Sequence, residues 1–335
     1  MTLSLRQLEG KYEVLHKIQE GGMGAVYKVR HLLLDQVRVV KVIRAQFAND
    51  ESLQRRFRHE AKTAIRLRHT NLVELYDFVF DDADGTSFMV MEFIDGVTVE
   101  EVLARQGALP AGLVVEVARQ CLDALAYLHG MGLLHRDVSP DNLMLTWGLG
   151  GRPRVKLIDL GIVKHVVATT GVTRTGSFVG KIRYASPEAF AGADVRPDER
   201  ADLYSLGVVL YEALTGVHPI GGHGFNEIAT AHMFKPPLPF EQSDPEGRVP
   251  LGLQRVVLKA LEKAPDGRFA DAEVMRAALL PFAAETAELE RLFERALDAA
   301  AAPGSAPDAG PAAAAPGPAP LRPEIAVPLP AVAPA

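Results

Sequence analysis

Leu133-Leu134-His135-Arg136-Asp137-Val138-Ser139-Pro140-Asp141-Asn142-Leu143-Met144-Leu145 is the stretch on which the reading of this chain turns. An acid at Asp137 and an amide at Asn142 are separated by a short polar turn, and apolar residues flank that turn on both sides. The cluster of His135, Arg136, Asp137 and Asn142 is therefore expected on a loop held between packed segments. Further on, Lys156-Leu157-Ile158-Asp159-Leu160-Gly161 sets a second acid at the end of an apolar run, just before a glycine. Two acids and an amide on neighbouring loops suit divalent-metal and phosphate chemistry. Hard cations such as Mg²⁺ take oxygen ligands, often one or two carboxylates plus substrate phosphates. For either motif by itself, a polar loop that caps a helix is the plain alternative.

Composition narrows the setting. The chain has 335 residues, 48% hydrophobic and 23% charged, enough for two or three structural units around a sizeable core. A net charge of -6 argues against a generic nucleic-acid or membrane-surface binder. Cys121 is the only cysteine and sits in an apolar helical pattern, so it reads as a small core filler in a reducing, cytoplasmic setting. No apolar run approaches the ~20 residues of a membrane span, no basic-then-apolar leader is visible, and the histidines show no zinc-ligand spacing.

Upstream, Tyr12–Ile18 and Ala25–His31 read as strands joined by Gln19-Glu20-Gly21-Gly22-Met23-Gly24. Glycines there let a backbone approach a ligand and leave N–H groups for phosphate oxygens, although most such hairpins are only turns. Val37–Ile43 is a β-branched strand with Lys41 near its middle, and the next helix, from about Asp50 to Arg68, carries Leu53, Phe57, Glu60 and Ala64 on one face. A carboxylate on an apolar face needs a partner, and Lys41 is the candidate for Glu60. Leu72–Phe80 and Ser87–Phe93 read as two more strands, Thr98 to Glu101 as a capping box, and Leu113–His129 as a helix. The helix read at Glu285–Ala296 has a stripe of Leu289, Leu292, Phe293 and Ala296, and the Ala/Pro composition after it cannot bury enough apolar surface to fold.

H-R-D-x-x-x-x-N at 135–142 followed by D-L-G at 159–161 resembles the catalytic core of a protein kinase, with Leu160 where the family has Phe. The resemblance runs from Tyr12 to about Phe282, and Gly21-Gly22-Met23-Gly24-Ala25-Val26-Tyr27 is similar to the bacterial eukaryotic-like (Hanks-type) group. It implies an α+β fold of two lobes, a small β-rich N-lobe at about 12–94 and a larger helical C-lobe at about 95–282. Around these it leaves an extension at 1–11, an amphipathic helix at 283–298 and a disordered tail at 299–335.

The resemblance also implies an activity: ATP- and Mg²⁺-dependent transfer of the γ-phosphoryl group to Ser/Thr hydroxyls of proteins, including those of its own activation loop. Asp137, Lys41, Glu60, Asn142 and Lys181 become the catalytic candidates, with Asn142 and Asp159 as metal ligands. Ile18, Gln19, Gly21, Gly22, Gly24, Val26, Val39, Lys41, Met91 (as gatekeeper), Glu92 and Ile94 become the ATP-binding set. Thr169, Thr170, Thr173, Thr175 and Ser177 are the acceptor hydroxyls of the loop, and Glu188 and Arg268 its structural ion pair. Gln19 replaces a family glycine, Ser139 a lysine and Lys181 a threonine, which keeps a pseudokinase scaffold in view as the alternative. A small-molecule kinase is disfavoured by Ser186-Pro187-Glu188 and Arg268, which imply a platform for a peptide.

Overall fold

The computed structural model describes residues 10–21, 24–43, 61–80, 87–160, 182–192, 195–222 and 224–301. Within them, β1 (Tyr12–Gly21), β2 (Gly24–His31), β3 (Gln36–Ile43), β4 (Leu75–Phe80) and β5 (Ser87–Glu92) form an antiparallel sheet in the order β1-β2-β3-β5-β4. Period-two alternation divides its faces. Val29, Val40, Val42, Phe88 and Val90 bury on one side with Tyr12. Register puts Val26 beside Lys41, Lys28 beside Val39, and Met89 and Met91 beside those two β3 residues on the other side.

The strand expected from Leu72 begins only at Leu75. The preceding residues pair elsewhere: Val73 N–H donates to Leu157 O (3.1 Å), and Leu157 N–H donates to Asn71 O (2.8 Å). The chain there is stitched to the larger lobe, so tertiary pairing overrides a locally continuous β pattern. Of the helix expected at about 50–68, residues 61–64 are helical and 50–60 lie outside the described residues.

Beyond Glu92 the chain crosses to the larger lobe. β6 (Gly96–Thr98) joins β7 (Leu143–Trp147) and β8 (Pro153–Leu157) in a three-stranded sheet, order β6-β7-β8. Gly96 has a steric reason to be glycine, since a Cβ there would lie 2.2 Å from Leu145 O. Thr98 caps α1 (Val99–Gln106) in a full capping box with Glu101. α2 (Ala111–Gly130) buries Leu113, Val117, Cys121, Leu125 and Leu128 against α3 (Arg200–Thr215). α3 is buried nearly all round, the mark of a central helix. α4 (Phe225–Phe234), α5 (Leu251–Ala260) and α6 (Ala272–Leu279) complete this lobe. The two-lobed α+β architecture is the one the sequence implied.

The last described helix, α7, spans Thr286–Ala301 and buries Phe293 and Ala296. It runs three residues into the stretch read as tail, because alanine is the best helix former and extends a helix already anchored by packing. No helix among the described residues is long and apolar enough to cross a membrane.

Candidate active site

The loop at 133–142 is held from beneath by one carboxylate. Asp202, on the buried helix α3, accepts from His135 N–H (2.8 Å) and Arg136 N–H (2.7 Å), and its Oδ2 lies 2.9 Å from His129 Nε2. Burial opposes ionisation of Asp202, but the His129 hydrogen bond, the two imidazoles and the Arg136 N–H outweigh it and hold the carboxyl below its usual range. These contacts fix Arg136 at φ 62°, in the left-handed region that a non-glycine residue enters only when its surroundings require it.

His135 is fully buried, and that burial lowers its pKa. Its Nδ1 accepts from Asp137 N–H (3.3 Å), while Nε2 lies 3.2 Å from Ile158 O. The ring thereby joins the loop carrying Asp137 to the strand end before Asp159. Asn142 adds a second link: its Nδ2 donates to Asp137 O (2.7 Å), and Ile158 N–H donates to Asn142 O (2.9 Å). With the amide nitrogen committed, the side-chain oxygen is the end left to ligate. Ser139, at a position where the resemblance expects lysine, is buried and donates to Asp141 Oδ1 (2.5 Å).

Asp159 has φ 58°, and its Oδ1 lies 2.5 Å from Lys41 Nζ. That ion pair spans the two lobes and brings together residues 118 positions apart. The partner proposed from sequence for Lys41, Glu60, lies outside the described residues, as do Gly22, Lys181 and the hydroxyls at Thr169, Thr170, Thr173, Thr175 and Ser177.

Val26, Val39, Lys41 and Met91 share the sheet face above Asp159, with Gln19 opposite Val26 and Gly24 opposite Gly21. Ile18 is exposed and Ile94 buried. Glu92 is turned away from this face. Its N–H donates to Glu74 O (2.9 Å) and its carboxylate accepts from Lys156 Nζ (2.7 Å), so neither group is available to a ligand. Lys28 was not picked out by sequence, yet it lies on the same face with Nζ 3.9 Å from the centre of the Phe93 ring.

Farther along, Glu188 and Arg268 form a buried bidentate pair at 2.7 and 2.9 Å. Arg268 also donates to Glu262 O, Lys263 O and Arg200 O, so its five N–H donors meet five acceptors. Asp202 was missed too. The signal was available, since an acid inside an apolar helical run needs a buried partner, the same reasoning applied to Glu60.

Among the described residues no three His, Cys, Asp or Glu side chains gather as a metal site. One carboxylate and one amide oxygen, from Asp159 and Asn142, fit a hard cation that draws its remaining oxygens from phosphates and water.

Residues 12–280 match the protein kinase domain model. Serine/threonine-protein kinase pkn3 of Myxococcus xanthus is 39% identical over 272 residues, covering 80% of this chain and 49% of the relative. PknB of Mycobacterium leprae is 38% identical over 275 residues, covering 82% and 43%. The chain thus spans about half the length of these curated relatives or less. Among solved structures, the PknI kinase domain of Mycobacterium tuberculosis superposes with a TM-score of 0.62 at 29% identity, covering 82% of this chain and 97% of that one. Rad53 1–466 in complex with AMP-PNP superposes with a TM-score of 0.65 at 23% identity, covering 82% and 66%, a likeness of fold alone. A match over four-fifths of the chain, on a two-lobed fold whose lobes meet at Lys41 and Asp159, establishes that this chain belongs to the protein kinase family.

Proposed function

We propose that this chain is an ATP- and Mg²⁺-dependent serine/threonine protein kinase. The observation that carries the reading is the convergence of Lys41, Asp159, Asn142 and Asp137 at one cleft between the lobes. The names of the curated relatives support the choice of Ser/Thr hydroxyls as acceptors.

Asp137 orients the acceptor hydroxyl and takes its proton as the acceptor oxygen bonds to the γ-phosphorus and the β–γ bridging P–O bond breaks, releasing ADP. Lys41 holds the nucleotide phosphates. When bound, the metal supplies charge neutralisation at the phosphoryl oxygens. Asn142 and Asp159 would hold it, Asn142 with its oxygen oriented by the Nδ2 bond to Asp137 O. Val26, Val39 and Ile94 border the adenine, and Glu188 with Arg268 braces the peptide side. The same reading places regulatory phosphorylation within Thr169–Ser177, acting in the cytoplasm.

The test is incubation of the purified chain with labelled ATP, Mg²⁺ and a generic protein acceptor, beside an Asp137→Ala control. Label on Ser/Thr that is lost in the control is the expected outcome. No label above the control overturns the reading.

A further inference from the structure

α7 lies beyond the last residue of the family match, yet it is packed as core. Phe293 has no exposed surface and Ala296 is 1% exposed, both within the main apolar cluster that contains α2 and α3. The helix touches α1, α2 and all three strands β6, β7 and β8. Arg105 Nη1 donates to Ala299 O (3.3 Å) and Gln106 Nε2 to Arg295 O (3.4 Å). A Cβ at Gly112 would come within 2.7 Å of Ala284 Cβ, just before α7, and 3.4 Å of Leu292 Cδ1 on it, so α2 leaves no room for a side chain at that position.

The contact that matters for the site is with the β7–β8 hairpin. The Phe293 ring lies 5.6 Å from that of Trp147, the last residue of β7, which pairs with Pro153 at the far end of the hairpin. At the near end Leu143 pairs with Leu157, and the next residues outward are Asn142 on one strand and Ile158-Asp159 on the other. β6, the exit from the inter-lobe crossing, is bonded to the same hairpin through Gly96 opposite Thr146, and Thr146 Oγ1 donates to Asp95 O (2.6 Å). One helix therefore clamps the outer end of the sheet whose inner end leads to both proposed metal ligands.

The geometry points to Phe293 and Trp147 as positioning residues: α7 acts as a strap that sets the β7–β8 hairpin, and through it the separation of Asn142 and Asp159. The catalytic unit then extends to Ala301, past the end of the family match. The metal part of this inference rests on the proposed kinase reading, whereas the mechanical part does not. Displacing a reacting-site group by ~1 Å can cost on the order of 10²-fold in rate, so a loosened hairpin has a readable effect.

The experiment uses the full chain with Phe293→Ala, Phe293→Leu and Trp147→Ala, well below each melting temperature. Hydrogen exchange in the ligand-free protein reads the hairpin directly. Affinity for a fluorescent ATP analogue, with Mg²⁺ and again in EDTA, reads the metal ligands. The expected result is faster exchange at Asn142–Leu145 and Val155–Asp159 in the two alanine variants. With it comes an about tenfold loss of affinity in Mg²⁺ and no change in EDTA, with Phe293→Leu close to wild type. Faster exchange confined to Trp147 and α7, with unchanged affinity in Mg²⁺, overturns the proposal and leaves Phe293 as packing alone. Should the wild type transfer no phosphate while the hairpin exchange still responds, the strap stands and the kinase reading falls.

Discussion

Lys41 and Asp159 meet at 2.5 Å across the cleft, and each is partly shielded from solvent. Lys41→Met is expected to leave the melting temperature nearly unchanged and to cut phosphoryl transfer by on the order of 10²-fold or more, measured with labelled ATP, because the lost charge acts where transition-state charge develops. Asp202→Asn tests the carboxylate beneath the loop. An amide presents N–H groups to N–H donors, so at least one of the bonds to His135, Arg136 and His129 is lost. The expected cost is about 1–3 kcal/mol in urea unfolding, together with a fall in kcat larger than any change in KM. Asp137, Asn142 and Asp159 stood out in the sequence because acids and an amide beside apolar runs are chemically conspicuous. The Lys41–Asp159 contact did not, because nothing local joins residues 118 positions apart. Lys28 was equally hidden: its meaning depends on which sheet face it occupies, and that is set by the register with Val39.

Helices and strands were legible where one face was buried and the period was clean. α1 begins at the capping box and α2 covers the stripe expected at Leu113–His129. Boundaries were lost where another element captured the backbone, as at Asn71–Val73, which bonds to β8 instead of extending β4. They were also lost where packing prolonged a helix, as at Ala299–Ala301. At this scale Arg268 is the joint among the 3₁₀ turn Pro187–Phe190, the start of α3 and the segment Glu262–Lys263. Arg268→Gln leaves Glu188 buried without its cation, and the expected loss is about 3–5 kcal/mol, read by urea unfolding followed through intrinsic fluorescence. Glu188→Gln in the same background is expected to recover part of that loss, since the stranded charge is then gone.

For the molecule as a whole, the buried His232 and the half-buried His218 tie stability to pH. Burial first, then the Arg183 charge, pushes His218 down to about 4. Burial, then His218 and Lys263, pushes His232 down to about 3. Tyr184 and Phe190, on either side of Glu188, rest against His218 and His232. Below an ordinary value of about 6.5 the unfolded chain takes up protons that the folded chain still refuses. Stability is therefore fully present above pH ~6.5 and falls as pH drops toward 4 and 3. Each histidine is expected to remove roughly 2 kcal/mol between pH 7 and 5, and a His218→Gln, His232→Gln double variant should flatten that slope in urea titrations. The division of the apolar interior has its own consequence in time. Tyr12, Val29, Val40, Val42, Phe88 and Val90 form a small cluster in the N-lobe, apart from the large one built on α2 and α3. Opening free energies follow the apolar contacts that must be broken, so amides of β1 and β2 should exchange through a cheap local opening while those of α3 wait for global unfolding. A nucleotide gripped between the lobes would slow the first class and leave the second nearly untouched, so the smaller lobe is held shut by its ligand rather than by its own interior.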